Sequence, residues 1–251
     1  MFVNLTRKFG IFEAMREARA KNYLRENLAE VRRKIERAAR KAGRNPDEIK
    51  LVAVSKTHPS EVLREAIAAG VNVFGENKVQ EAETKIEEIG RGAAEWHLIG
   101  HLQSNKAKKA AQIFDVVQSL DSVKLAGRLE RICQEEGRES LSVFAQVDLA
   151  GETTKSGVAE NELPELVEFL QTCKCLKFDG LMILPPFFED AEKARPFFGR
   201  LREIRDELSK KSAFANITGE LSMGMSHDFE IAIEEGATVV RVGTAIFGER
   251  N

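Results

Sequence analysis

The sequence has few of the features that mark secreted, membrane-spanning or metal-binding proteins. Only three of its 251 residues are cysteines, and the closest two, Cys173 and Cys175, lack the two-residue spacing of zinc ribbons and redox pairs. No apolar run approaches the ~20 residues needed to cross a bilayer. The amino-terminal segment carries acidic residues and no cleavable hydrophobic region. We therefore expect a cytoplasmic protein with reduced thiols and no membrane partner.

The chain also lacks an excess of charge of either sign. Its 38 Lys and Arg residues nearly balance 40 Asp and Glu residues, and the formal net charge is -2. Proteins that bind nucleic acid through their overall charge are strongly basic. The lysines of "QSNKAKKAAQ" (residues 103–112) have no interleaved aromatic residues, so we interpret them as a solvated helix face. No nucleic-acid partner is indicated.

Strand-like and helix-like stretches alternate from residue 50 to the end of the chain, after an amphipathic helix predicted over 22–42. Eight stretches are typical of strands: residues 50–55, 72–75, 95–100, 114–120, 141–149, 176–184, 215–222 and 238–243. A helix after nearly every strand indicates a parallel sheet. The pattern predicts a single-domain (β/α)8 TIM barrel over residues 21–251, preceded by an extension of unassigned role at 1–20. A doubly wound open sheet is the alternative.

A lysine follows the first predicted strand. In a barrel of this kind the functional residues lie at the carboxyl ends of the strands, and Lys56 ends "LVAVSK" there. Partial desolvation in an apolar barrel favours the neutral amine, which can attack an aldehyde carbon. Taken alone, a lysine after a strand is more often a solvated surface residue. The combination with other strand ends favours the functional interpretation.

Small and hydroxyl-bearing residues follow the last two predicted strands: Ser222, Gly224 and Ser226 in "SMGMS", then Gly243 and Thr244. Hydroxyl groups and bare glycine backbone suit a phosphate, particularly before a helix. Arg241 precedes the second loop on the same strand and is expected to point into the barrel. These residues together predict a site for an aldehyde that carries a phosphate.

Two histidines, His97 and His101, have the spacing of a helical metal pair. "WHLIGH" is instead typical of a strand that enters a glycine turn, where the two side chains would not share a face. We therefore predict no metal site, and we interpret His97 as a core residue.

Seven stretches of the sequence resemble the pyridoxal phosphate homeostasis proteins, which are single-domain relatives of the barrel domain of alanine racemase. The stretches are "LVAVSKTHP", "FGENKVQEA", "WHLIGHLQSNKAK", "VQSLDS", "GETTKSGV", "GLMILPP" and "LSMGMSHDFEIAIEEGATVVRVGTAIFGER". They occur in the family's order and run to the end of the chain.

The resemblance implies a role for each matching residue. Lys56 is similar to the lysine that holds pyridoxal 5'-phosphate (PLP) as a Schiff base, Asn77 to the residue beside the cofactor ring, and Arg241 to the arginine that faces the pyridine nitrogen. The remaining matches are similar to the phosphate cradle: Ser222, Gly224, Ser226, Gly243 and Thr244. Which of the two serines contacts the phosphate most closely is left open.

The same residues bear on whether the protein is an enzyme. Arginine does not readily give up a proton, so it leaves the pyridine nitrogen unprotonated and weakens the ring as an electron sink. Alanine racemases add a tyrosine from a second domain, whereas the single tyrosine here, Tyr23, is expected away from the barrel mouth. We predict a monomeric PLP carrier without strong turnover, with PLP-dependent apo-enzymes as candidate partners. A PLP-dependent racemase or lyase, or a class I aldolase that uses Lys56, are the alternatives.

Overall fold

Eight parallel strands form a closed barrel in the computed structural model, which describes residues 23–151 and 156–249. The eight barrel strands are β1 (Lys50–Val54), β2 (Val73–Glu76), β3 (Glu95–Leu98), β4 (Val116–Leu120), β5 (Leu141–Asp148), β7 (Leu176–Met182), β8 (Glu220–Ser222) and β9 (Val239–Val242), and a ninth, two-residue strand is β6 (Val158–Ala159). The ring runs β1-β2-β3-β4-β5-β7-β8-β9, and β9 pairs with β1. β6 pairs only with the end of β5. The predicted single-domain (β/α)8 barrel is confirmed, while the predicted extension at 1–20 lies outside the described residues.

Helices cover the outside of the barrel. They are α1 (described over 23–41), α2 (Ser60–Ala68), α3 (Val79–Ile89), α4 (Ala107–Ile113), α5 (Val123–Glu135), α6 (Leu163–Thr172), α7 (Arg195–Lys210), α8 (Phe229–Glu234) and α9 (Thr244–Phe247). Within residues 23–151 and 156–249 no helix is long and apolar enough to cross a membrane.

The first helix, α1, runs opposite to the strands. Near its start Asn27 Nδ2 donates to the carbonyl of Ile246, at 3.0 Å. Just beyond its end Arg44 donates to the carbonyls of Ile233 and Ala237, which precede β9. The chain therefore enters the barrel from the carboxyl end, descends through α1 and rises again in β1.

Alternation along the strands creates two layers. Residues that point outward join the large core beneath the helices, for example Ala53, Phe74, Trp96 and Val240. Residues that point inward form a small apolar cluster of Val52, Val73, Val116, Phe144, Met182 and Val239. Two residues further along several of these strands, the same inward face carries buried polar groups: Gln118, Gln146 and Arg241. Because side chains alternate with period two, these groups lie above the apolar cluster, toward the carboxyl end.

One predicted strand is much shorter than expected. Of residues 215–222 only Glu220–Ser222 form β8. Before it, Asn216 Oδ1 accepts from the amide of Gly219 at 2.6 Å, and Gly219 has a φ of 73°. An asparagine side chain that bonds the backbone three residues on favours a turn, so this polar segment approaches the barrel as a turn and not as a strand.

Candidate functional site

The strand register brings the predicted site residues to one end of the barrel on four consecutive strands, β2, β1, β9 and β8. Val54 pairs with Gly75, so Lys56 and Asn77 each follow paired residues by two positions. A Cβ atom at Gly243 would lie 3.3 Å from the carbonyl oxygen of Val54, so the loop after β9 is equally near. The ends of all parallel strands lie on one face, and the residues form one connected rim there.

Lys56 lies at a tight turn directly after β1 and is half-buried. The amide of His58 donates to the carbonyl of Ser55 at 3.1 Å and closes the turn. Thr57 has a φ of 69°, a conformation that few non-glycine residues adopt. Its amide donates to Glu81 Oε1 on α3. The conformation of the turn is therefore stabilised both by a hydrogen bond within it and by a hydrogen bond to α3.

The loops after β8 and β9 meet at a serine hydroxyl. Ser226 Oγ accepts from the amide of Gly243 at 3.2 Å and from that of Ala245 at 3.3 Å. The carbonyl of Gly224 accepts from the amide of Arg241 at 3.0 Å. Thr244 lies between the two amides and is exposed. Four of the five residues predicted to hold a phosphate are thus assembled in two touching loops.

Replacement of Gly224 by alanine is expected to destabilise the protein by about 3 kcal/mol, through a positive φ and overpacking combined. Gly224 has a φ of 92°, and a Cβ atom there would lie 2.6 Å from Ala232 Cβ and 2.8 Å from Phe229 Cα. Gly43→Ala is the matched control, because its φ is 69° but nothing lies within 4 Å; it should cost about 1 kcal/mol. Urea unfolding measures both, and equal costs would show that the close packing is unimportant.

Arg241 is fully enclosed at the base of this rim. It is 2% exposed, and it donates through Nη1 to Ser222 Oγ and through Nη2 to the carbonyl of Ile183 at 2.7 Å. Burial lowers the pKa of Arg241 to about 10, and the nearby carboxylate of Asp228 acts in the opposite direction. The guanidinium therefore stays charged at neutral pH.

A chain of hydrogen bonds leads from Arg241 across the barrel interior. Ser222 Oγ donates to Gln118 Oε1 at 2.6 Å, the Gln118 amide contacts His97 Nδ1 at 2.6 Å, and His97 Nε2 contacts Glu95 Oε1 at 2.7 Å. A guanidinium only donates. Each following group must then accept from the one before it, which leaves His97 neutral with its proton on Nε2, directed at the Glu95 carboxylate.

These hydrogen bonds show that the two serines of the "SMGMS" motif have different surroundings. The hydroxyl hydrogen of Ser222 points to Gln118, and its oxygen accepts from Arg241 inside the barrel. Ser226 lies instead among the amides of the two loops. Gln118 was missed in the sequence, although a polar residue at an inward position of the apolar stretch "FDVVQSL" was the available signal. His97 is buried as a core residue should be, but its partners are polar.

The buried histidine is expected to make stability depend on pH. Burial lowers the pKa of His97 from 6.5, although Glu95 beside it acts in the opposite direction. Below pH ~6.5 the unfolded chain takes up a proton that the folded His97 resists, so stability is full above this pH and falls as the pH decreases. The unfolding free energy should fall by up to about 1 kcal/mol more between pH 8 and 5.5 in the wild type than in His97→Gln. His101→Gln, at an exposed position, is the control. Equal pH slopes in wild type and His97→Gln would contradict the assignment.

No group of three or more His, Cys, Asp or Glu side chains that could hold a metal ion occurs in the part of the chain that the structure describes. His97 bonds to residues inside the barrel. His101 instead contacts Asp121 at 3.1 Å on the surface. The two histidines therefore face different surroundings.

The expected position of Tyr23 is wrong. A Cβ atom at Gly248 would lie 3.6 Å from the Tyr23 ring, just beyond α9 at the carboxyl end of the barrel. The reason is topological: a helix that precedes β1 must run opposite to it, so its start lies at the mouth end. The Tyr23 side chain is half-exposed.

Comparison with known proteins identifies the family. The family model for the alanine racemase N-terminal domain matches residues 27–251. The pyridoxal phosphate homeostasis protein of Aquifex aeolicus is 44% identical over 225 residues, which are 90% of this chain and 97% of that protein. This chain belongs to the pyridoxal phosphate homeostasis protein family. The homeostasis protein of Escherichia coli K12 is 42% identical over 233 residues, 92% of this chain and 98% of the relative. The resemblance that the motifs indicated is confirmed.

Two solved structures have a similar barrel. PipY of Synechococcus elongatus, solved with PLP bound, is 40% identical, has a TM-score of 0.76, and the match covers 90% of this chain and all of PipY. Alanine racemase from Corynebacterium glutamicum is 18% identical with a TM-score of 0.64, and the match covers 91% of this chain and 61% of the racemase. The second likeness shows a shared barrel fold and nothing about activity.

Proposed function

We propose that this homeostasis-family protein binds PLP as a Schiff base on Lys56 and holds it for delivery without strong turnover of its own. The observation that carries the proposal is the assembly of a lysine, an enclosed arginine and two touching loops on four neighbouring strands. PLP is bound in the structure of PipY, which is 40% identical. PLP-dependent apo-enzymes in the cytoplasm are the proposed recipients.

The residues present fit the three reactive parts of the cofactor. Lys56 supplies the amine for the aldehyde, and Asn77 lies at the matching position after the neighbouring strand β2. Arg241 supplies a group that is charged at neutral pH and can donate to the ring nitrogen. The amides that now bond to Ser226 Oγ, together with Gly224, Gly243 and Thr244, supply hydrogen-bond donors for the phosphate. When bound, PLP supplies an electrophilic aldehyde carbon and an electron-withdrawing ring.

The Lys56 amine provides both capture and release. Its neutral form adds to an aldehyde carbon, a C=N bond forms and one water leaves. Water, or another amine, can reverse the condensation. A carrier needs this reversibility, because the cofactor must leave with its aldehyde restored or transferred to a new amine.

Arg241 and its hydrogen bond to Ser222 favour a carrier over an enzyme. Arg241 can only donate, so a pyridine nitrogen that accepts from it stays unprotonated and is a weak electron sink. The hydroxyl of Ser222 cannot substitute as a proton source, since its hydrogen is directed at Gln118. The relatives compared above are also named for homeostasis and not for a reaction.

Purified protein incubated with PLP and then passed over a desalting column is expected to retain about one equivalent and to be yellow. It should show no racemisation or cleavage of amino acids near the ~10 per second that is typical of enzymes. Turnover at that rate would favour the racemase or lyase alternative. A protein that stays colourless after incubation would favour the aldolase.

A further inference from the structure

A cluster of charged and polar side chains lies beneath the Lys56 turn, between β1, β2 and α3. It contains Ser55, Glu76, Glu81 and Lys85. Lys85 is 4% exposed and Glu76 is fully buried, which is rare for these residue types unless they are paired. The cofactor chemistry proposed above uses none of the four, so their burial needs another explanation.

Lys85 is the centre of the cluster. Its Nζ donates to the carbonyl of Ser55, to Glu76 Oε1 and to Glu81 Oε1, each at 2.7 Å. An ammonium has three hydrogens, and all three are used. Ser55 Oγ adds a bond of 2.6 Å to the same Glu76 oxygen. The cluster therefore has one defined arrangement.

Two members of the cluster hold the peptide groups on either side of Lys56. The carbonyl of Ser55, before Lys56, accepts from Lys85. The amide of Thr57, after it, donates to Glu81. Glu81 and Lys85 are one turn apart on α3 and share a face. The positive φ of Thr57 is a conformation that persists only where the surroundings hold it, and Glu81 provides the hold.

The burial of charged groups in this cluster opposes folding, so stabilisation of the fold does not by itself explain the cluster. Burial raises the pKa of Glu76, although Lys85 beside it acts in the opposite direction. Burial acts the same way on Glu81, but the hydrogen bonds from Lys85 and Thr57 outweigh it and lower its pKa. Glu76 Oε2 has no hydrogen-bond partner among the described residues. A buried ion cluster with an unsatisfied oxygen stabilises a fold weakly compared with apolar packing, which favours a role in orientation.

We infer that Glu81 and Lys85 are positioning residues that hold the turn at Lys56 in the one shape that presents its amine at the barrel mouth. The inference rests on the proposed function for the ligand that Lys56 takes. The support of the turn itself is independent of any ligand and is measurable in the PLP-free protein.

Variants of α3 test this. Glu81→Ala removes the acceptor for the Thr57 amide, and Glu81→Gln retains an acceptor oxygen. Lys85→Met removes the donor to Ser55 at similar length. Glu83→Ala is the matched control, because Glu83 lies on the same helix and pairs with Lys109 on the exposed side at 2.6 Å.

Three measurements apply to each variant: hydrogen exchange at the Thr57 amide without PLP, the dissociation constant for PLP, and the pH midpoint of the Schiff-base absorbance. Glu81→Ala and Lys85→Met should each weaken PLP binding at least about tenfold, the size of a lost hydrogen bond to a charged group. Glu81→Ala should also speed exchange at Thr57 at least about tenfold, and Glu81→Gln should recover part of both effects. The pH midpoint should shift, which a general loss of stability would not cause.

Wild-type affinity, exchange and pH midpoint in Glu81→Ala and Lys85→Met would overturn the inference, as would equal losses in Glu83→Ala. If the wild type forms no reducible adduct with PLP, the proposed function fails. The exchange rate at Thr57 then still decides whether the cluster holds the turn.

Discussion

Lys56→Ala is expected to lose the tightly held PLP. Without the Lys56 amine no C=N bond can form at the end of β1, and binding should weaken at least about tenfold, with the phosphate loops and Arg241 left to hold the ligand. The variant should keep its fold, because Lys56 is half-buried at a turn and fills no core position. Absorbance titration and the PLP retained after desalting measure the effect.

Lys78→Ala is the control for that experiment. Lys78 follows Asn77 directly and is exposed. The substitution therefore removes a lysine close to the mouth and leaves the turn after β1 unchanged. It should retain PLP as the wild type does. The assignment of Lys56 would be wrong if Lys56→Ala bound PLP with wild-type affinity and Lys78→Ala did not.

Arg241→Gln is expected to have a large effect on stability, a loss of about 3 kcal/mol in unfolding free energy, because removal of the buried guanidinium leaves buried acceptors without their donors. The nearby charge of Asp228 would lose a favourable electrostatic interaction. Ser222 and the carbonyl of Ile183 would also lose their donors. Unfolding can be followed through the fluorescence of the single tryptophan, Trp96, which is fully buried.

A surface arginine separates burial from the loss of an arginine as such. Arg37 bonds to Glu230 at 2.6 Å, but its side chain is 67% exposed. Exposed pairs of this kind contribute little, so Arg37→Gln should leave the unfolding midpoint unchanged. Equal destabilisation by the two variants would show that the buried hydrogen bonds of Arg241 stabilise the fold no more than a surface ion pair does.

The order of strands and helices could be predicted because most of the strand-like stretches are short and apolar and are followed by an amphipathic helix. The exact length of β8 could not, since the polar turn at Asn216 and Gly219 competes with strand pairing. The position of Tyr23 could have been predicted from topology. The helix before the first strand runs antiparallel to that strand, so its first residues lie at the carboxyl end of the barrel.

The candidate site was predictable where function lies at strand ends. Lys56, Asn77 and the loops around Ser226 and Thr244 need only the rule that parallel strands end on one face. Their assembly follows from the register of β2, β1, β9 and β8. Their roles toward PLP remain proposals that the experiments above test.

The supporting residues were harder to find. Gln118 and Ser222 are 104 positions apart in sequence, and they meet only because the closed barrel brings the inward faces of β4 and β8, three strands apart in the ring, together. Lys85 lies in a helix rich in charged residues, and the sequence does not distinguish the one lysine that faces inward toward Glu76 from its exposed neighbours. Contacts of this kind depend on tertiary structure, which no local pattern contains.

Reductive trapping tests the central claim most directly. The PLP-free protein is mixed with one equivalent of PLP, reduced with borohydride, digested and mapped by mass spectrometry. The account predicts loss of the yellow colour and a single stable label, on the peptide that contains Lys56. No label, or a label spread over other lysines such as Lys78 and Lys106 with Lys56 unmodified, would contradict it.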